Sequence, residues 1–274
     1  MRVKAHRLVE DDGTPVPFKP SPNLGGKVQH KFLVMHYTAG GSAEESVDWL
    51  TARRSQASAH AVIGRDGSVT QLVPFDRVAW HAGASSWEGL KGLNGYSLGI
   101  EMDNAGLLTR HADRWRAWFG RAYDDADVVQ AVHKNGTDAC GWHDYTEAQI
   151  QSALKVSQLL MANYGLRDVL GHEDIAPGRK WDPGPAFPMA SFRGRLLGRR
   201  EDQLPQYRTL CELHIRTAAG PQNPALPGSP LAKGTVVEQI SAQGHWWKVD
   251  VQEGAPATLD LDGWVNSKFL ERVS

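Results

Sequence analysis

The segment Gly171-His-Glu-Asp-Ile-Ala-Pro-Gly-Arg-Lys-Trp-Asp-Pro-Gly184 crowds one imidazole, three carboxylates and an ammonium into a short stretch. Pro177, Gly178, Pro183 and Gly184 prevent regular structure there, and loops on a rigid scaffold are where function concentrates. A loop that folds back on itself brings His172 and Asp182 to one metal ion. A second histidine on a strand completes a catalytic zinc site, which uses three protein ligands and keeps one position open for water. His36, at the end of the apolar run Phe32–Met35, is the candidate. A histidine beside an apolar run reads equally well as a satisfied core residue, and the chain has eleven His.

Patterning indicates the elements that must hold these residues. Lys31–Thr38 is a β-prone run, and Ser42-Ala-Glu-Glu45 has the spacing of a capping box that opens a helix through Trp49 and Arg53. His60–Val73 reads as two strands hinged at Asp66-Gly67. Ser97–Met102 is another short strand. Thr146-Glu-Ala-Gln149 is a second capping box, and Ile150, Leu154, Val156, Leu159 and Leu160 stripe the helix it opens, which Gly165 ends. Residues 105–145 show no clean period and read as an irregular excursion with some helix, holding His111, His133 and His143 as surface groups. Strands interleaved with helices predict an α/β fold, a mixed central sheet flanked by helices. Beyond Pro205 the composition shifts to short β-prone runs between Pro/Gly turns, about Leu213–Arg216, Val236–Ile240, Trp246–Val251 and Gly263–Val265. They predict a small all-β barrel. The domains so drawn are residues 1–200 and 205–274.

Length and charge bound the class. The 274 residues suit a large domain plus a small module, with 30 Lys+Arg against 31 Asp+Glu. A net charge of −1 gives no overall electrostatic reason to expect nucleic acid or an anionic membrane as partner. Two Cys with no CxxC pair exclude a disulfide framework and a Cys-rich zinc site. Residues 1–10 carry charge without the apolar stretch of a secretory signal, and no segment reaches the ~20 apolar residues of a membrane span. The expectation is synthesis in the cytoplasm. Ten Trp, against seven Phe and six Tyr, is the unusual count.

Six motifs carry a resemblance. Val34-Met-His-Tyr-Thr-Ala-Gly40, Ser58-Ala-His60, Arg65-Asp-Gly67, Ala79-Trp-His-Ala-Gly83, Asn94-Gly-Tyr-Ser-Leu-Gly-Ile-Glu101 and the His172 to Asp182 segment occur in the order seen in zinc-dependent N-acetylmuramoyl-L-alanine amidases. Over residues 20–195 the chain resembles that family, whose superfamily includes peptidoglycan recognition proteins. The resemblance implies a groove holding one Zn²⁺ and hydrolysis of the amide between N-acetylmuramic acid and L-alanine in peptidoglycan or muropeptides. It makes His36, His172 and Asp182 the zinc ligands. Glu101 becomes the group that moves a proton from water to the leaving nitrogen, and Lys180 the cation facing the developing oxyanion. Trp80 and His81 are expected at the substrate, Trp80 with core packing as the alternative. His60 and His81 are metal ligands by type but read as structural or groove-lining, because a catalytic zinc wants three protein ligands and an open position. One departure stands out: Ala59 occupies the position before the hairpin histidine where recognition-protein and phage-type relatives carry Tyr.

The tail resembles a bacterial SH3-like domain through Glu212-Leu-His-Ile-Arg216, Lys233-Gly-Thr235, Gly244-His-Trp-Trp-Lys-Val249 and Asp262-Gly-Trp-Val265. That resemblance implies cell-wall binding; otherwise Trp246, Trp247 and Trp264 simply fill the barrel. An amidase with such a module and no secretory signal reads first as a phage-type lysin or an injected effector acting on wall peptidoglycan, the latter with an immunity protein as partner. The alternatives are a cytosolic muropeptide-recycling amidase and a non-catalytic recognition module. The presence of all three metal ligands speaks against the latter. A zinc peptidase cutting within the stem peptide is compatible with the same ligands.

Overall fold

The computed structural model describes residues 1–197, 206–253 and 261–273. Two units are separable, Met1–Met189 and Ala190–Ser274. The compositional break expected at residues 200–205 lies outside the described residues. In chain order the principal elements of the first unit are β1 (Phe32–Tyr37), α1 (Ala43–Thr51), β2 (Ala61–Ile63), β3 (Val69–Gln71), β4 (Ser97–Met102), β5 (Leu107–His111), β6 (Arg114–Arg116), β7 (Ala122–Tyr123), β8 (Val128–Val132), β9 (Ala139–His143), α2 (Glu147–Tyr164), β10 (Asp168–Gly171) and α3 (His172–Ile175).

The central sheet has the order β10-β1-β4-β2-β3. Its four neighbours β10, β1, β4 and β2 are parallel, and β3 returns antiparallel on β2. Parallel strands are covered on both faces, so they read as unbroken apolar runs. Phe32 through Met35 obey this, each fully buried. On one face Phe32, Val34, Leu93, Leu170 and Ile175 share a cluster; another gathers Val47, Leu50, Val62, Leu72 and Val73 beneath α1. The β2–β3 hairpin turns through Gly67 at φ 82°, a left-handed conformation that glycine adopts without strain.

Both helix starts form where the sequence marks them. The Ser42 side chain accepts from the Glu45 N–H, capping α1. Thr146 and Gln149 make a reciprocal capping box on α2, and Gly165 ends that helix at φ 60°. Gln149 is fully buried and donates from Nε2 to the Asp103 carbonyl at 2.8 Å, tying the start of α2 to the end of β4. Leu154, Val156 and Leu160 form the buried stripe, while Ile150 and Leu159 are half-buried.

Residues 105–145 differ from expectation. They form a second five-stranded antiparallel sheet, β7-β6-β5-β9-β8, with one short 3₁₀ turn at Asp125–Asp127. The strands run two to five residues, too short to display a period, and charged Arg110, Arg114 and Arg116 punctuate them. Their buried side, with Leu108, Trp115, Tyr123 and Val128, builds a cluster of its own. Gly141 is required there: a Cβ would lie 2.5 Å from the Trp115 ring. His133 and His143, expected at the surface, are buried beneath this sheet, while His111 is exposed.

In the second unit, α4 (Met189–Leu197) begins at the boundary residue, and β11 (Gln206–Thr209), β12 (Val236–Gln243), β13 (Trp246–Glu253), β14 (Asp262–Asn266) and β15 (Leu270–Arg272) follow. They form a curled antiparallel sheet of order β14-β13-β12-β11-β15, consistent with an SH3-like half-barrel. Leu213–Arg216 pairs only through single bridges. The core is aliphatic, made by Leu213, Ile215, Leu231, Val237, Val249, Val251, Leu261 and Val265. Trp246, Trp247 and Trp264 are half-buried, and of the three Trp247 packs on that core, edge-on to Tyr207. No described helix is long and apolar enough to cross a membrane.

Candidate metal centre and active site

Register assembles the site. Glu101 on β4 lies directly beside His36 on β1, and Gly171 at the end of β10 pairs with Met35. His172, the next residue, therefore starts α3 level with His36. Three strand ends of a parallel sheet thus deliver His36, Glu101 and His172 to one edge, where open α/β sheets commonly place ligands. The loop after α3 returns Asp182 to the same place, held by the Glu173 N–H donating to the Asp182 carbonyl at 2.9 Å.

His36 Nδ1 is 3.0 Å from His172 Nδ1 and 2.8 Å from Asp182 Oδ2, and His172 Nδ1 is 3.0 Å from the same oxygen. All three side chains are buried, His36 only 1% exposed. The far nitrogens fix the tautomers. His172 Nε2 lies 3.0 Å from the Ala82 carbonyl, which can only accept, so that nitrogen carries the proton and Nδ1 keeps its lone pair. His36 Nε2 donates to His81 Nδ1 at 2.9 Å, and His81 Nε2 in turn faces the Ser97 carbonyl and hydroxyl at 3.4 and 3.3 Å. Such outer hydrogen bonds orient metal-binding imidazoles and raise their basicity.

The charge states suit a cation. Burial, then the neighbouring His172, lowers His36 to about 4, so it is neutral at pH 7. Burial alone would raise the Asp182 carboxyl, but its close contacts with the His172 and His36 imidazoles outweigh that and hold it below the usual carboxylate range. Two imidazoles and one carboxylate, their ligand atoms within 4.8 Å of one another, match the three-ligand donor set of a catalytic zinc. His36, His172 and Asp182 form the zinc site, for one ion.

Glu101 is distinct from this triad. Its Oε2 is buried with no hydrogen-bond partner among the described residues. Burial, then the Asp182 charge, pushes the carboxyl well above its ordinary value, with Lys180 opposing. Lys180 is half-buried and within electrostatic reach of both Glu101 and His36, without an ion pair among the described residues. Trp80 is 38% exposed. His81 sits behind His36, 8% exposed, where its bond positions the ligand. His60 is a structural residue: Nε2 donates to the Arg77 carbonyl, and Nδ1 accepts from the Gly99 N–H.

Sequence reasoning missed the brace beneath the ligand loop. His133 Nε2 donates to Glu173 Oε2 at 2.6 Å, Lys134 pairs with Glu173 Oε1 at 2.8 Å, and the Gly184 N–H donates to Glu173 Oε2 at 3.2 Å. Glu173, read as a loop group, is buried. Trp142, 1% exposed, packs against His133 and Trp181, with Gly184 beneath its ring. From the other side Arg179 donates to the Ala82 and Ala84 carbonyls at 2.8 and 2.6 Å. The signal available was the crowding of Glu173 and Arg179 beside ligands; nothing local linked His133 to them.

Residues 26–185 match the family model for N-acetylmuramoyl-L-alanine amidase. The chain belongs to that family. Among curated relatives, 1,6-anhydro-N-acetylmuramyl-L-alanine amidase AmpD of Escherichia coli is 37% identical over 140 residues, 50% of this chain and 57% of that protein. N-acetylmuramoyl-L-alanine amidase A of Achromobacter lyticus is 38% identical over 172 residues, 62% of this chain and 85% of that protein. The chain thus spans little more than half the length of the AmpD relatives it matches. The crystal structure of a selenomethionine AmpD derivative superposes with a TM-score of 0.50 at 28% identity, covering 72% of this chain and 99% of that one.

Proposed function

We propose that the chain is a zinc-dependent amidase that hydrolyses the bond between the lactyl group of N-acetylmuramic acid and L-alanine, acting on 1,6-anhydromuramyl peptides. The observation that carries the reading is the unpartnered Glu101 Oε2 beside a buried His36/His172/Asp182 donor set. His36, His172 and Asp182 would hold a zinc ion, which would supply the Lewis acidity that acidifies water and polarises a carbonyl. Glu101 takes a proton at Oε2 from the attacking water and returns it to the amide nitrogen, a poor leaving group until protonated. Its raised proton affinity suits that exchange. The Lys180 ammonium offsets charge gathering on the carbonyl oxygen. His81 keeps the Nδ1 lone pair of His36 turned inward. With Ala59 buried at the position where some relatives carry Tyr, no phenol from that position shares these tasks.

The AmpD-type relatives, named for the 1,6-anhydro sugar, favour a fragment substrate and hence a recycling amidase over a lytic enzyme. One observation favours polymeric wall instead: the curled C-terminal sheet and its half-buried tryptophans resemble a wall-binding module. A fragment substrate assigns the work to the cytoplasm, a polymeric one to the wall. Rates on an anhydromuramyl tripeptide and on dye-labelled sacculi, measured side by side, separate the two. Faster cleavage of the fragment is expected; efficient dye release with a silent fragment assay would reverse the assignment.

A further inference from the structure

Beside the metal centre an open groove of about 410 Å³ runs along the second sheet, lined by Tyr37, Leu107, Thr109, Arg116 and Trp118 among others. Tyr37 follows the ligand His36 in the chain and lies within electrostatic reach of Asp182 and Glu101. The floor is one face of the sheet: Leu107 and Thr109 alternate along β5, and Arg116 on β6 pairs in register with Thr109. This face is unusually apolar for an exposed one. Leu107 is 40% exposed and Trp118 80%. Trp118 is nonetheless held in place, its Nε1–H donating to the Ala39 carbonyl at 2.8 Å.

The charge of the groove is one-sided. Its lining includes the Arg116 guanidinium and, among the described residues, no carboxylate. Neighbouring arginines are committed: Arg110 pairs with Asp125, and Arg114 with Asp124 at 2.8 Å. Arg116 donates only to the Gly120 carbonyl and has no carboxylate partner among the described residues. A guanidinium with donors to spare, beside an aromatic face, suits a carboxylate carried on a peptide. The other polar side chains of the lining are the Tyr37 and Thr109 hydroxyls and the His111 imidazole, and the guanidinium is its permanent charge.

We propose that this groove is a subsite for the acidic stem peptide, with Arg116 pairing a peptide carboxylate and Trp118 packing against the peptide; the assignment rests on the amidase reading. A muramyl peptide held at the zinc site sends its sugar one way and its stem the other, and the groove past Tyr37 complements the anionic half.

The test is calorimetric titration of the zinc-loaded full chain with the free tripeptide L-Ala-γ-D-Glu-L-Lys. Arg116→Ala and Trp118→Ala should each weaken binding about tenfold, the scale of one charge-assisted contact. Arg116→Lys should recover part of the loss, and Arg114→Ala, the Asp124-paired neighbour, should change nothing. Unchanged tripeptide affinity in Arg116→Ala would overturn the proposal. So would a peptide-free anhydro-disaccharide that loses affinity in these variants while the tripeptide does not. A chain that cleaves no muramyl amide yet binds the tripeptide through Arg116 would refute the amidase reading and leave the subsite standing.

Discussion

The first unit contains two five-stranded sheets built to opposite ends. In the parallel sheet β1 is buried from Phe32 through His36, and its strand ends place His36 and Glu101 side by side with His172 just beyond β10. In the antiparallel sheet one face packs Leu108, Trp115 and Tyr123, while the other leaves Leu107 and Arg116 to solvent. The first fixes atoms that must not move; the second reaches under the ligand loop through His133 and keeps an open face beside the site. Burial on both sides holds a donor set, and burial on one side leaves a surface that can meet a ligand.

The largest expected effects sharpen the division within the parallel sheet. His36→Ala should lose the metal, read as zinc content after dialysis. Glu101→Gln should keep zinc and lose roughly 10²–10⁴-fold in turnover, the usual scale for a general acid–base group. If Glu101→Gln also lost zinc, Glu101 would join the ligand set and the separation of roles would fail.

Next come the two supports. His81→Ala removes the acceptor that fixes the His36 tautomer and should weaken zinc binding about 10–100-fold in a chelator competition. His133→Ala leaves the buried Glu173 carboxylate short of a donor and should destabilise the fold by about 2 kcal/mol in denaturant unfolding. It should shift zinc affinity less than His81→Ala, because Lys134 still holds Glu173. The reverse order would mean that the antiparallel sheet, not the parallel one, sets the ligand geometry.

This contrast also explains what the sequence disclosed. The buried parallel strands are apolar runs, and the ligand positions sit where those runs end, so the α/β fold and the ligands His36, His172 and Asp182 were legible from motifs and their order. The second sheet was not. Its strands alternate faces over too few residues, and Trp115, Trp118 and Trp142 have three separate jobs: core packing, a groove wall and a lid over His133. His133 is 40 residues from Glu173, so only the folded chain reveals their bond. The bond from the ligand His36 to His81 was not legible either, because an imidazole serves several uses.

A smaller effect sets one histidine of each region side by side. Burial lowers His60 to about 4 and His143 to about 3. Both are neutral in the fold and bind protons more readily when unfolded, so their stability contribution is complete above pH 6.5 and declines as pH falls toward 4 and 3. The thermal midpoint should therefore drop on going from pH 6.5 to 5; a flat profile would contradict the neutral, buried assignment of both.

The most direct test of the amidase reading is mass analysis of the products when the zinc-loaded chain meets an anhydromuramyl tripeptide, with and without chelator. The expected result is free anhydromuramic sugar and an intact tripeptide with an unblocked alanine amine, both abolished by chelation and restored by zinc. Cleavage inside the peptide, or the same products at an undiminished rate in chelator, would contradict it.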